Sequence, residues 1–116
     1  MKLSQVQEIL EAKVLWGEEL LAREVAHACG SDLLSDVLAF TKPQSLLLTG
    51  LTNPQVVRTA ELLGLCGIVF VRGKEPGADV LALAEEIGLP LLSTAYPLYE
   101  TAGLLWEAGL PGCKLP

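Results

Sequence analysis

The second half of this chain repeats one pattern three times: an apolar segment, a short polar loop, a proline, an amphipathic stretch and a glycine. The apolar segments are residues 45–49, 67–71 and 90–94, the prolines are Pro54, Pro76 and Pro97, and the glycines are Gly64, Gly88 and Gly109. Proline suits the first helical turn because its missing N–H would have no partner there. Glycine suits the position after a helix because it adopts positive φ without a steric clash. The repeat therefore predicts parallel strands joined by helices.

The apolar segments do not alternate, as expected for strands that are covered on both faces. Before them, we expect a helix over residues 4–11 with a capping box at Ser4 and Gln7, a short strand over 13–16 and an alternating strand over 21–29. A further helix should follow a cap at Ser31 or Asp32. We predict a single α/β domain over residues 1–116, three-layered, with a mostly parallel sheet of four or five strands flanked by helices.

Helical spacing also predicts which residues of the last three helices face the sheet. The predicted inward residues are Val56, Val57, Ala60 and Leu63 in the first of these helices, Val80, Leu81, Ala84 and Ile87 in the second, and Leu98, Ala102, Leu105 and Trp106 in the third.

The charge of the chain restricts its partners. Eight Lys and Arg against 14 Asp and Glu give a net charge of −6. Because basic clusters are missing, we expect no nucleic-acid partner. The acidic charge and the short apolar segments also argue against binding to or crossing a membrane. Without a secretion signal at the first residues, the expected location is the cytoplasm.

The repeat indicates where a site could form, because ligands of parallel sheets bind at the carboxyl ends of the strands. The loops expected at that edge contain hydroxyl, small and basic residues: Thr49, Gly50, Thr52, Asn53, Arg72, Gly73, Lys74, Ser93, Thr94 and Tyr96. With three helix N-termini, these residues could bind a phosphate or carboxylate. The alternative is that they only cap the helices, as Thr and Asn commonly do.

Residues for catalysis are harder to find. Neither a phosphate-binding loop nor a dinucleotide-binding glycine motif is present. His27 is the only histidine, so a zinc site of the usual composition is not expected. Cys29 lies two residues from His27 and could form an activated thiolate with it, or the two could simply be half-buried strand residues. We expect Cys66 to be buried, and we expect no cofactor and no enzymatic activity.

Four segments of the chain carry a family resemblance, and they are residues 31–38, 46–50, 67–70 and 83–94. They resemble the DRTGG domain family, and the resemblance is strongest from about residue 31 to residue 108. Such domains are similar to the N-terminal domain of HPr kinase/phosphorylase. They occur as accessory modules in phosphotransacetylases and in regulated pyrophosphatases with CBS domains, and as stand-alone proteins, some encoded near iron-only hydrogenase genes. The resemblance implies a stand-alone α/β module that dimerises or regulates.

The residues that give the family its name are mostly replaced. The family's Asp-Arg pair falls on Thr52 and Asn53, and its Thr-Gly-Gly falls on residues 71–73, so that only Gly73 is kept. The later run from Pro90 to Tyr96 does match. Any role of the missing Asp and Arg therefore cannot be transferred to this chain.

Three hypotheses of function follow. The first is a non-catalytic regulatory module that forms a homodimer through exposed aromatic residues such as Trp16, Tyr99 and Trp106 and acts on a partner enzyme. The second is a sensor that binds a phosphorylated small molecule or nucleotide at the carboxyl edge. The third is an accessory protein of an HPr-kinase-like serine kinase, not itself catalytic because a triphosphate-binding loop is missing.

Overall fold

The computed structural model describes residues 1–114, in which five strands and five α-helices are found. In chain order they are α1 (Leu3–Leu10), β1 (Lys13–Trp16), β2 (His27–Gly30), α2 (Leu34–Phe40), β3 (Ser45–Thr49), α3 (Pro54–Leu63), β4 (Gly67–Phe70), α4 (Ala78–Ile87), β5 (Leu91–Ser93) and α5 (Leu98–Glu107). A single 3₁₀ turn, Glu18–Leu20, follows β1.

The five strands form one sheet in the order β1-β5-β4-β3-β2. Strands β2 to β5 are parallel, and each lies beside the next along the chain, whereas β1 joins the edge at β5 in the antiparallel direction. The prediction of an α/β domain with a mostly parallel sheet of four or five strands is confirmed. Because β2 to β5 are parallel, their carboxyl ends lie on one edge of the sheet.

Helices cover both faces of the sheet, which makes the domain three-layered. Leu46 and Leu48 point from β3 toward a core shared with α1 and α5, whereas Leu47 points toward a core shared with α2, α3 and α4. All three leucines are almost fully buried. Because neighbouring strand residues face opposite sides, the continuous leucine run of β3 supplies both cores.

The strand predicted over residues 21–29 is too long, because β2 comprises only His27–Gly30. The segment before it is bound to the start of α1: the Val25 N–H donates to the Met1 carbonyl at 2.7 Å, and the Leu3 N–H donates to the Arg23 carbonyl at 3.0 Å. The alternating pattern of this segment correctly identifies Val25 as a buried residue, but the segment does not pair with β3.

The predicted helix caps are correct in part. Pro54 is the first residue of α3 and Gly64 and Gly88 end α3 and α4 in the left-handed conformation, as predicted. Pro76, however, lies two residues before α4, and Pro97 is the N-cap of α5 instead of a residue of its first turn.

The two caps predicted in the first half are wrong. Helix α1 begins at Leu3 after Lys2, whose N–H donates to the Gln5 Oε1 at 2.8 Å, so that the capping residues lie two positions before Ser4 and Gln7. Helix α2 begins after Leu33, and neither Ser31 nor Asp32 occupies its N-cap position.

The inward face of α5 also differs from the prediction. Thr101 and Leu105 are buried, Leu98 and Leu104 are half-buried, and Ala102 and Trp106 are exposed. Thr101 can be buried because its hydroxyl donates to the Tyr96 carbonyl at 3.3 Å. Because Thr101 is polar, the apolar pattern did not identify it as an inward residue, and the inward face predicted for α5 was therefore wrong. The stripes of α3 and α4 are correct for Val56, Val57, Ala60, Val80 and Ala84, and their remaining members are half-buried.

Candidate functional site

A cluster of polar side chains forms at the carboxyl edge of the sheet around the loop after β3. The carboxylate of Asp32 reaches this loop from the segment after β2, and its Oδ1 accepts hydrogen bonds from the Thr49 hydroxyl at 2.8 Å and the Gly50 N–H at 2.7 Å. The Thr49 Oγ1 in turn accepts the Leu51 N–H at 3.1 Å. The donors that could bind a ligand anion at the end of β3 are therefore already bound by a carboxylate of the chain itself.

The two basic residues of the loop after β4 lie beside this carboxylate. Residues 71–74 form a tight turn, closed by the Lys74 N–H to the Val71 carbonyl at 3.2 Å, in which Arg72 and Gly73 have φ of 57° and 68°. Positive φ at both central positions is typical of a type I′ turn. The turn directs Lys74 toward the β3 loop, where its Nζ donates to the Gly50 carbonyl at 3.2 Å.

Gly50 leaves room for this arrangement. A Cβ at this position would lie 3.3 Å from the Asp32 Oδ2 and 3.6 Å from the Arg72 Nη2, so that a side chain here would crowd the carboxylate and the guanidinium. The charged groups of Asp32, Arg72 and Lys74 thus lie close together around Gly50. We call this group, with Thr49 and Gly50, the edge cluster.

The environment of Asp32 lowers the pKa of its carboxyl group. The hydrogen bond from the Gly50 N–H is the largest cause, and the Thr49 hydroxyl and the positive charges of Arg72 and Lys74 act in the same direction. Partial burial opposes them by disfavouring the charged form. Asp32 is therefore held as an anion, in the place where an anionic ligand was expected.

The predicted site residues after β5 bind to the protein itself. The Thr94 hydroxyl donates to the Leu10 carbonyl at 2.8 Å, which joins the end of α1 to the sheet, and the Ser93 hydroxyl donates to the Lys74 carbonyl at 2.9 Å. The Tyr96 hydroxyl donates to the Glu11 Oε2 at 2.8 Å. This bond and the charge of Glu11 raise the pKa of Tyr96.

Asn53 acts as a helix cap. Its Oδ1 accepts the Val56 N–H at 3.1 Å at the start of α3. Thr52 is a half-buried residue of the same loop. Of the ten predicted site residues, the structure brings Thr49, Gly50, Arg72 and Lys74 together, with Gly73 in the adjoining turn, whereas Asn53, Ser93, Thr94 and Tyr96 stabilise the fold.

The sequence prediction missed Asp32 as a member of the edge. Its position before an apolar helix favoured a cap, whereas its partners in the structure, Thr49 and Gly50, lie 17 and 18 residues further along the chain. The available signal was the position of Asp32 directly after β2, since all the strands of a parallel array end at the same edge.

The remaining reactive residues do not form a metal site. Within residues 1–114, the structure contains no cluster of three His, Cys, Asp or Glu side chains that could hold a metal ion. Cys66 is buried, as predicted, and burial raises the pKa of its thiol to about 11. His27 and Cys29 both lie on β2 and are half-buried.

Two apolar surfaces lie outside the carboxyl edge. On α5, Tyr99 and Trp106 are 85% and 71% exposed, and they line a groove of about 330 Å³ between α5, β2 and residues 110–112. On the opposite side of the sheet, α2, α3 and the residue before α2 expose further large side chains, which are Leu33, Leu38, Phe40 and Leu62. Trp16, which the sequence prediction grouped with Tyr99 and Trp106 as an exposed aromatic residue, is only half-exposed.

No helix among the described residues is long and apolar enough to cross a membrane.

No curated protein matches this chain.

Among solved structures, the chain is similar to the CBS and DRTGG domains of the regulatory region of the Clostridium perfringens pyrophosphatase, a structure solved with the activator diadenosine tetraphosphate. The TM-score is 0.76 at 14% sequence identity, and the match covers 95% of this chain but 47% of the other. The chain thus shares the fold and spans about half the length of that solved regulatory region. The model of the DRTGG domain matches residues 5–108. The chain belongs to the DRTGG domain family.

Proposed function

We propose that this chain is a non-catalytic regulatory module, which acts by binding other protein chains: a second copy of itself and a partner enzyme. The observation that carries the proposal is the pair of apolar surfaces on its helices. Five of the exposed large side chains, Leu33, Leu38, Leu62, Tyr99 and Trp106, are between 47% and 85% exposed in a domain of only 116 residues. Groups of exposed apolar side chains of this kind commonly bind another protein.

The edge cluster supports the non-catalytic part of the proposal. Asp32 and the donors of the β3 loop satisfy each other, and the hydroxyls of Ser93 and Thr94 are bound to main-chain carbonyls. A nucleophile beside a general base is the usual sign of covalent catalysis. The one hydroxyl of the edge cluster that lies beside a carboxylate belongs to Thr49, which is fully buried, and the lowered pKa of Asp32 makes that carboxylate a weak base. The family's place in the regulatory region of a pyrophosphatase supports an enzyme as the partner.

The cytoplasm is the compartment that we propose for this module. Its cysteines, Cys29, Cys66 and Cys113, are all free thiols, which is the state expected in a reducing compartment.

Light scattering at micromolar concentration tests self-association directly. We expect about twice the 12.4 kDa mass of one chain, and a mass of one chain at all accessible concentrations would contradict the proposal. In the same preparation, incubation with ATP or pyrophosphate should release no phosphate. Release that is lost on heat denaturation of the protein would show that the module is an enzyme.

A second function, sensing of a phosphorylated small molecule, is favoured by one observation: Arg72 and Lys74 surround a site that already binds a carboxylate. A ligand phosphate would have to displace Asp32, which is exposed and lies just before α2. The pyrophosphatase regulatory region to which this chain is similar was solved with diadenosine tetraphosphate. This compound is therefore the first to test, followed by ADP and inorganic phosphate.

Thermal-shift assays with these compounds distinguish the two functions. If the edge is a sensor site, Asp32→Ala should bind phosphate more tightly than the wild type because it frees the Gly50 N–H. The double variant Arg72→Ala with Lys74→Ala should lose the shift, while Lys42→Ala, an exposed lysine before β3, should keep it. The absence of a shift with all three compounds in both the wild type and Asp32→Ala would exclude the sensor function.

A further inference from the structure

Helix α5 presents to solvent a stripe of four uncharged residues, Tyr99, Ala102, Gly103 and Trp106. Their spacing, i, i+3, i+4 and i+7, places them on one face of the helix. All four are exposed, and the two aromatic residues stand at the ends with the two small residues between them. We call these four residues the α5 stripe.

We propose that the α5 stripe is the surface on which a second copy of this chain packs, with the two α5 helices antiparallel and a two-fold axis passing between Ala102 and Gly103. This inference rests on the proposed function and locates its self-association.

The order of residues in the stripe is what points to a second copy as the occupant. In an antiparallel pair about such an axis, Tyr99 of each copy lies opposite Trp106 of the other, and Ala102 lies opposite Gly103. The stripe is therefore its own complement, which a two-fold interface requires because the same surface serves both subunits. The small central residues allow the helix axes to come close together, and the aromatic residues at both ends then cover the contact.

The groove beside the stripe supplies a place for the aromatic side chains of the other copy. It is lined on one side by Tyr99 and Trp106 and on the other by Ala28 and Gly30 of β2 and by Pro111. An aromatic side chain buries roughly 150–250 Å², so four of them provide several hundred Å² of the ~1,200 Å² that a specific interface needs. The small central residues of the stripe and the walls of the groove add further contact area.

Charge at the rim of the stripe makes the inference easy to test. Glu100 and Glu107 flank the stripe on α5, and both are exposed. In the antiparallel pair, Glu100 of one copy and Glu107 of the other lie on the same side of the contact, offset by two residues along the helix axes, so the two carboxylates repel each other. A second copy should therefore bind more tightly as salt rises, because salt screens this repulsion. A basic partner protein on the same stripe would bind more weakly as salt rises.

The test compares three variants by sedimentation equilibrium. Trp106→Glu should weaken dimerisation at least tenfold, since it places a charge at each end of the interface. Gly103→Leu should do the same by separating the helices, and it should not disturb the monomer, because no atom lies within 4 Å of the position of an added Cβ. Leu62→Glu, a change of the same chemistry at a 76% exposed residue of α3, is the matched control and should leave the dimer intact.

Each outcome supports or overturns the inference. A wild-type chain that is monomeric would defeat the inference together with the self-association in the proposed function. A dimer that survives Trp106→Glu and Gly103→Leu, or that dissociates in Leu62→Glu alone, would overturn the inference and leave the self-association standing. Dimerisation should strengthen in Glu100→Gln with Glu107→Gln, and a dimer that weakens with rising salt would also contradict the inference.

Discussion

Asp32 and Thr94 show how single polar residues of this chain act over long distances in sequence. Asp32 joins the segment after β2 to the β3 loop, and Thr94 joins β5 to the end of α1. Both were predicted from local sequence to act as caps or ligand-binding groups. Local sequence identifies a polar residue, but the partner of a long-range hydrogen bond depends on which strands become neighbours.

Asp32→Ala should destabilise the fold at neutral pH by about 1 kcal/mol, because it removes a charged acceptor from the Gly50 N–H at an exposed position where solvent reduces the effect. The pKa of Asp32 is lowered in the folded state. Its contribution is therefore present above the unfolded pKa, near 3.8, and is lost as the pH falls through the folded value.

Urea unfolding of the wild type and of Asp32→Ala at pH 7 and at pH 3 measures this. The difference in free energy of unfolding between the two proteins should shrink at the lower pH. Asp36→Ala, a change at an exposed carboxylate of α2, is the control and should show a smaller difference at pH 7. An Asp32→Ala effect that is equal at both pH values would mean that the charge of Asp32 does not contribute.

Thr94→Val should cost roughly 1–2 kcal/mol, because the Leu10 carbonyl loses the donor that it has in the buried space between α1 and β5. Chemical unfolding followed by circular dichroism gives the value, and Thr52→Val at a half-buried loop position is the comparison. Equal effects of the two substitutions would show that the Thr94 hydroxyl has no special role in the fold.

At the scale of elements, the sequence was most informative where one physical requirement dominates. Strands β3 and β4 must be apolar on both faces, and the left-handed glycines at the ends of α3 and α4 have few substitutes, so these elements were predicted nearly to the residue. The predictions failed at β2 and α5. There, main-chain bonds to the N-terminal residues and a buried, satisfied Thr101 override the simple periodicity.

Gly88→Ala should destabilise the domain by about 1 kcal/mol or more, since an alanine at φ of 75° clashes with its own backbone. No other atom lies within 4 Å of the added Cβ, so the effect isolates the strain of the backbone. Gly103→Ala in the interior of α5 also meets no atom, and should instead stabilise the monomer by roughly 0.5–1 kcal/mol. Thermal unfolding at low protein concentration tests both, and the same sign for the two variants would contradict the argument.

For the whole molecule, the decisive feature is that one sheet supplies two cores. Strand β3 contributes Leu46 to the core with α1 and α5 and Leu47 to the core with α2, α3 and α4. The threefold repeat of the sequence predicted this layered arrangement, but it did not predict which helical faces are exposed. Whether a helical face is buried by the same chain depends on how many helices cover each side of the sheet, and α5 is left with its uncharged stripe exposed.

If the two cores belong to one cooperative unit, Leu46→Ala and Leu47→Ala should affect the same transition. Each removes a fully buried leucine side chain and should lower the free energy of unfolding by about 2–5 kcal/mol. Because the two residues are neighbours on one strand, unfolding of either core also removes the strand that supports the other core. Each variant should therefore unfold in a single step, and the transition should be identical by far-ultraviolet circular dichroism and by tryptophan fluorescence. Since a domain of this size is stable by about 5–15 kcal/mol, the double variant should be largely unfolded. Two separate transitions in either single variant would show that the layers on the two faces of the sheet unfold independently.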